Sequence, residues 1–179
     1  MAATETQHSG MTAPKRGSER PPHSPAAPRS PLEPARLLRR ADEEVSRASR
    51  HDTPLCALLL RLDEFETLQS TYGDQLAQAA LLHAAEALSA DLRRFDRVGR
   101  AGVDQLLLLL PGARLQQGEV VARRALTRLH SIKIEVGRCR RSLLLSIGIA
   151  EWRPPWSAQR LVDEARCAAG VLHRDHLRD

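Results

Sequence analysis

The sequence predicts an α+β fold, a central β-sheet of about five strands flanked by helices. Three observations carry that expectation. Short apolar runs of strand length alternate with longer stretches whose apolar residues recur every three or four positions. Their order is helix, strand, helix, helix, hairpin, helix, strand, strand, helix, which reads as a sheet covered by helices. A chain of 179 residues has room for one such domain plus a tail.

Glu33 to Arg50 places Leu37, Leu38, Ala41, Val45 and Ala48 at helical spacing with charges on the other face, and Pro54 follows as a stop. Leu55 to Leu60 is an unbroken apolar run of buried-strand length, far too short to span a bilayer. Asp63 opens a brief helix with Phe65 and Leu68 inside, closed near Gly73. Asp74 is a suitable N-cap for a helix to about Ala90, with Leu76, Ala79, Ala80, His83 and Ala87 along one stripe. In that stripe His83 reads as a tolerated half-buried residue, since no second ligand type lies one turn away. Arg97–Arg100 and Gln105–Leu110 read as a hairpin around a tight turn at Ala101-Gly102-Val103, ended by Pro111-Gly112. Leu115 to His130 is helical, Lys133 to Val136 and Leu143 to Ala150 are strands, and Ala158 to Leu172 closes the domain.

The domain is expected over residues 32–179, behind a Pro-rich, weakly basic tail over 1–31. Pro14, Pro21, Pro22, Pro25, Pro28 and Pro31 fall in that tail with no aromatic residue, so it has too little apolar surface to offset its ordering entropy. No continuous apolar stretch of secretory type is present, and the expected location is cytoplasmic. Cys56, Cys139 and Cys167 are widely spaced and read as isolated thiols. The net charge is +5 and rests on arginine, for only Lys15 and Lys133 are lysines. Arginine suits phosphates and guanine edges, but such usage also follows from genomic base composition. Two Trp, one Tyr and two Phe are too few for an interleaved basic and aromatic stripe, so nucleic acid is disfavoured as a partner.

Two motifs remain. Arg93-Arg94-Phe95-Asp96 ends six positions before Gly102-Val103-Asp104-Gln105-Leu106. The second resembles a worn copy of the Gly-Gly-(Asp/Glu)-Glu-Phe signature of the diguanylate cyclases, the GGDEF family. The first resembles that family's inhibitory-site motif, Arg-x-x-Asp, at the family's spacing. Leu55 to Glu66, Tyr72-Gly73, Leu107 to Gly112 and Ser146-Ile147-Gly148-Ile149-Ala150 are similar to family phrases in the same order. The resemblance runs from residue ~33 to the C-terminus and implies a nucleotidyl-cyclase-like fold.

In the family, two GTP molecules on facing domains react while carboxylates hold Mg²⁺, a hard cation that takes oxygen ligands. The resemblance places Arg61 at the first of the two metal carboxylates and leaves Asp63. It puts Val103 at a glycine that admits the phosphates, Gln105 at the signature Glu, Gln69 and Gln78 at the guanine readers, and Gly170 at a phosphate-binding Lys. It therefore implies a degenerate cyclase domain with no activity, no metal and no cofactor. The inhibitory site is implied to be whole: Arg93 and Asp96, expected on an exposed turn at a helix end, with Arg124 or its neighbour Arg123 as a further arginine. An Arg fork can donate to guanine O6 and N7, and a carboxylate can accept from N1–H and N2–H. An Arg-x-x-Asp at a preset position arises by chance in about 1% of cases at this composition. It also suits a remnant of ancestry, or a surface ion pair worth ~0.2–1 kcal/mol. The expectation is a cyclic di-GMP receptor acting on an unidentified protein partner, with a ligand-bridged dimer compatible with it. The alternative is a ligand-free interaction module of the same fold.

Overall fold

The computed structural model describes residues 31–136 and 139–175, except the side chains of Ile134, Val136, Cys139, Arg141 and residues 170–175. The expected tail therefore lies, through residue 30, outside the described residues. Helix α1 (Pro34–His51) carries Pro34 at its first position, where a missing N–H costs nothing, and ends at Asp52 with φ 48°. Strand β1 (Leu55–Leu62) leads to α2 (Phe65–Tyr72) and α3 (Asp74–Ser89). The pair β2 (Arg97–Arg100) and β3 (Gln105–Pro111) follows, then α4 (Leu115–Ser131), β4 (Lys133–Val136), β5 (Cys139–Ser142), β6 (Leu145–Glu151) and α5 (Ala158–Asp175).

Four strands form the main sheet in the order β2-β3-β1-β6, every neighbour antiparallel. Strand β1 is central, and its continuous apolar run follows from burial on both faces. Side chains alternate along a strand. Thus Leu55, Ala57 and Leu59 pack with α1 and α5, while Cys56, Leu58, Leu60 and Leu62 pack with α2, α3 and α4. The sheet is sandwiched between two helical layers. Gly148 lets α5 lie directly on β6, since a Cβ there would stand 1.9 Å from the Ala165 carbonyl oxygen. At the outer edge, Leu32 forms a parallel bridge to Gly99, donating to the Val98 carbonyl and accepting from Arg100 N–H. No helix among the described residues is long and apolar enough to cross a membrane.

The expected fold class holds, with four corrections of detail. The sheet has four strands, because β4 pairs with β5 in a separate hairpin. Strand β5 carries Arg140 and Arg141 and has no apolar pattern to reveal it. The buried stripe of α3 is Ala77, Ala80, Leu81, Ala84, Ala85 and Leu88, so the helix is rotated from the expected face and His83 is exposed. Gly73, at φ 91°, occupies the N-cap of α3. Asp74 is the first helical residue, and its carboxylate is drawn to side chains instead of the helix N–H groups. In α1, Leu38 stays 41% exposed while Glu44 is buried, shifting the expected face.

Candidate functional site

The signature turn closes the end of the sheet where β1 runs out between β3 and β6. Register sets Arg61 opposite Gln105 on one side and Ser146 on the other. Asp63 follows on the turn into α2, its N–H bonded to the Leu144 carbonyl. The buried Ser146 hydroxyl lies 2.8 Å from both oxygens of its carboxylate, sharing one proton between them, and Arg61 Nε lies 3.3 Å from Oδ1. A guanidinium thus stands against the carboxylate that the resemblance assigns to metal binding.

The neighbouring groups are also turned inward. Gln105 Oε1 accepts from Arg166 Nε at 3.3 Å, and Arg166 Nη1 holds Asp163 at 2.5 Å. Gln69 and Gln78 both donate to Asp74 Oδ1, at 3.0 and 3.4 Å. Gln78 Oε1 accepts from Arg100 Nη1 at 2.6 Å, and Arg100 Nη2 donates to the Val103 carbonyl at 3.1 Å. The connection from β2 to β3 is Ala101 to Asp104, between the expected strand ends Arg100 and Gln105, and Val103 is 68% exposed. Asp104 presses its carbonyl onto Leu62 N–H at 2.9 Å. Leu106 is buried in the core as the first apolar residue of β3, and Gly102 sits beside the Gln105 side chain. Gly170 lies outside the described side chains.

This donor set does not fit a hard divalent cation. Of the two carboxylates that remain, Asp63 is paired with Arg61, which leaves Asp104, and the amide of Gln105 offers no charge. Ser146, Arg100, Asp74 and Arg166 complete the network and are not among the site residues expected from the sequence. Their roles follow from strand register and helix placement, which residue spacing alone does not give.

The Arg-x-x-Asp motif forms a turn between α3 and β2, closed by Asp96 N–H to the Arg93 carbonyl at 3.1 Å. One Asp96 oxygen closes it a second time, accepting from Arg93 N–H at 2.8 Å. Here the expected exposed turn is corrected: Arg93 is exposed, but Asp96 is only 8% exposed. The carboxylate acts on the backbone, and no ion pair joins the two side chains among the described residues. The second Asp96 oxygen has no hydrogen-bond partner among the described residues. Burial raises the Asp96 pKa above its ordinary 3.8, against the Arg93 N–H and the charges of Arg93 and Arg97, which pull it down.

The Arg93 guanidinium has no hydrogen-bond or ion-pair partner among the described residues, and Phe95 beside it is 64% exposed. Arg123 and Arg124 lie exposed on α4. One turn beyond Arg124, Arg128 donates to both oxygens of Asp91 at 3.1 and 3.0 Å, tying α4 to the segment that enters the Arg93 turn.

Residues 35–175 match the family described as diguanylate cyclase, GGDEF domain. The chain belongs to the GGDEF family. It is 29% identical over 111 residues to the bifunctional diguanylate cyclase/cyclic di-GMP phosphodiesterase MucR of Pseudomonas aeruginosa, covering 62% of this chain and 16% of MucR. To the diguanylate cyclase DosC of Escherichia coli it is 28% identical, over 73% of this chain and 29% of DosC. It spans less than a third of either relative. Among solved structures, it resembles the diguanylate cyclase SiaD of P. aeruginosa in complex with its activator SiaC, at TM-score 0.75 and 30% identity, over 80% of this chain and 55% of SiaD. The GGDEF domain of DgcB from Caulobacter crescentus, in complex with c-di-GMP, matches at TM-score 0.75 and 17% identity over 90% and 94% of the two chains. At that identity DgcB speaks for the fold alone.

Proposed function

We propose that this GGDEF domain is a non-catalytic receptor for cyclic di-GMP. It would hold the dinucleotide at Arg93, Asp96 and Arg124, with Arg123 as a neighbouring donor, and signal through a protein partner. The observation that carries this reading is the turn itself: an exposed guanidinium without a hydrogen-bond or ion-pair partner among the described residues, beside a carboxylate held in place by backbone through one oxygen, its other oxygen unpartnered there. The Arg93 fork suits guanine O6 and N7. The free oxygen of Asp96 suits N1–H and N2–H, and the α4 arginines suit phosphate.

Loss of synthesis is supported by the other end of the sheet. Making the dinucleotide needs metal ions beside the α-phosphate, and the cation next to Asp63 here is Arg61. The SiaD–SiaC complex gives precedent for a protein partner. A second reading, a docking module without ligand, is favoured by the solvent-facing apolar side chains of Phe95 and Val103.

Calorimetric titration of the protein with cyclic di-GMP separates the two, run beside a chromatographic assay of GTP turnover with Mg²⁺ and Mn²⁺. The receptor reading expects saturable binding and no product. Product that scales with protein would refute the loss of synthesis. Silence at tens of micromolar ligand would leave the docking reading.

A further inference from the structure

We infer that Arg128 and Asp91 are positioning residues of the proposed dinucleotide site, a clamp that holds its two halves in register. This rests on the receptor reading above. The proposed ligand groups come from two elements far apart in sequence. Arg93 and Asp96 lie on the connector from α3 to β2, and Arg123 and Arg124 lie on α4. A ligand that bridges them needs connector and helix at a set separation, or binding must order them first and lose affinity in doing so.

Arg128 and Asp91 supply the tie. A single guanidinium nitrogen, Nη1, reaches both carboxylate oxygens at 3.1 and 3.0 Å. Asp91 stands two residues before Arg93, and Arg128 stands four after Arg124, one turn along the same helix. The bridge therefore joins the elements at points immediately beside the proposed ligand groups. It lies on the surface, with side chains 43% and 51% exposed, so it contributes little to overall stability. Its consequence is local.

The test is a set of cyclic di-GMP titrations on wild type, Arg128→Ala, Asp91→Ala, the double alanine variant, and the swap Arg128→Asp with Asp91→Arg. Melting temperatures run in parallel. The clamp expects each single change to weaken binding about 5–20-fold, the scale of losing preorganisation. The double variant should be no worse than the poorer single, the swap should recover most of the loss, and melting should stay within a few degrees throughout.

Wild-type binding from Asp91→Ala with weak binding from Arg128→Ala would mean that Arg128 touches the ligand itself, and would overturn the clamp. So would additive losses in the double variant, or wild-type affinity in both singles. Absence of binding by the wild type is a different result, which removes the receptor reading and the clamp with it.

Discussion

Asp96 does two jobs that are normally separate, closing a turn and offering an acceptor, and its burial makes the two opposed in pH. Its folded pKa lies above 3.8, chiefly through burial, so between 3.8 and that raised value the folded chain holds a proton that the unfolded chain has released. Its contribution to stability is present below about 3.8 and is lost as pH rises through the folded value. Asp96→Asn removes this dependence while keeping an oxygen for Arg93 N–H. Its melting temperature relative to wild type should rise between acid and neutral pH. The proposed ligand binding is expected to run the other way, since accepting two guanine donors needs the ionised form. Cyclic di-GMP affinity should fall as pH drops through the raised value, and Asp96→Asn should bind weakly at all pH. A variant that binds like wild type and follows its pH profile would show that the carboxylate only closes the turn.

Arg61 is the second residue on which the account turns. Restoring Arg61→Asp alone should give no cyclase activity, because Gln105 stays held by Arg166 and Gln78 by Arg100. Product from that single variant, assayed chromatographically with Mg²⁺, would mean that the remaining site is more competent than its contacts indicate.

At the scale of elements, long periodic segments were legible and their rotations were not. The α1, α4 and α5 helices, the β1 run and the Phe65–Leu68 turn of α2 emerge where apolar spacing announces them. In α3 the sequence is apolar almost all round, Leu76 to Leu82 offering several equivalent stripes, and the partners β2 and α4 choose among them. Strand β5 was illegible because its hairpin with β4 is joined by charge and backbone, such as Arg140 on Glu135, instead of apolar alternation.

The glycines divide in the same way. Gly148→Ala should lower the melting temperature by several degrees, at a cost of ~1–3 kcal/mol or more, because its Cβ would enter the α5 backbone. Gly102→Ala should leave it unchanged, as the nearest atoms, at 3.4 Å, belong to the flexible Gln105 side chain. Equal melting of the two variants would contradict this packing of α5 on β6.

For the whole molecule, a fold shared with diguanylate cyclases carries a site whose polar groups have been turned on one another. Fold and activity are separable because core burial sets the first and a few side chains at a strand end set the second. The candidate ligand turn was legible through the resemblance of Arg93-Arg94-Phe95-Asp96 to the family's inhibitory-site motif. The burial of Asp96 was not, since it depends on where β2 enters the sheet. The Asp91–Arg128 bridge was not either, since it joins residues 37 positions apart.

Calorimetric titration with cyclic di-GMP of wild type against Arg93→Ala tests the receptor claim most directly. The Arg93 guanidinium has no hydrogen-bond or ion-pair partner among the described residues, and the backbone bonds of Arg93 to Asp96 survive in the alanine variant, so loss of the side chain is not loss of fold. The account predicts saturable binding by the wild type, and a loss of ~1–3 kcal/mol, about 5- to 150-fold in affinity, in Arg93→Ala with unchanged melting. Wild-type silence at tens of micromolar ligand, or equal binding by Arg93→Ala, would contradict it.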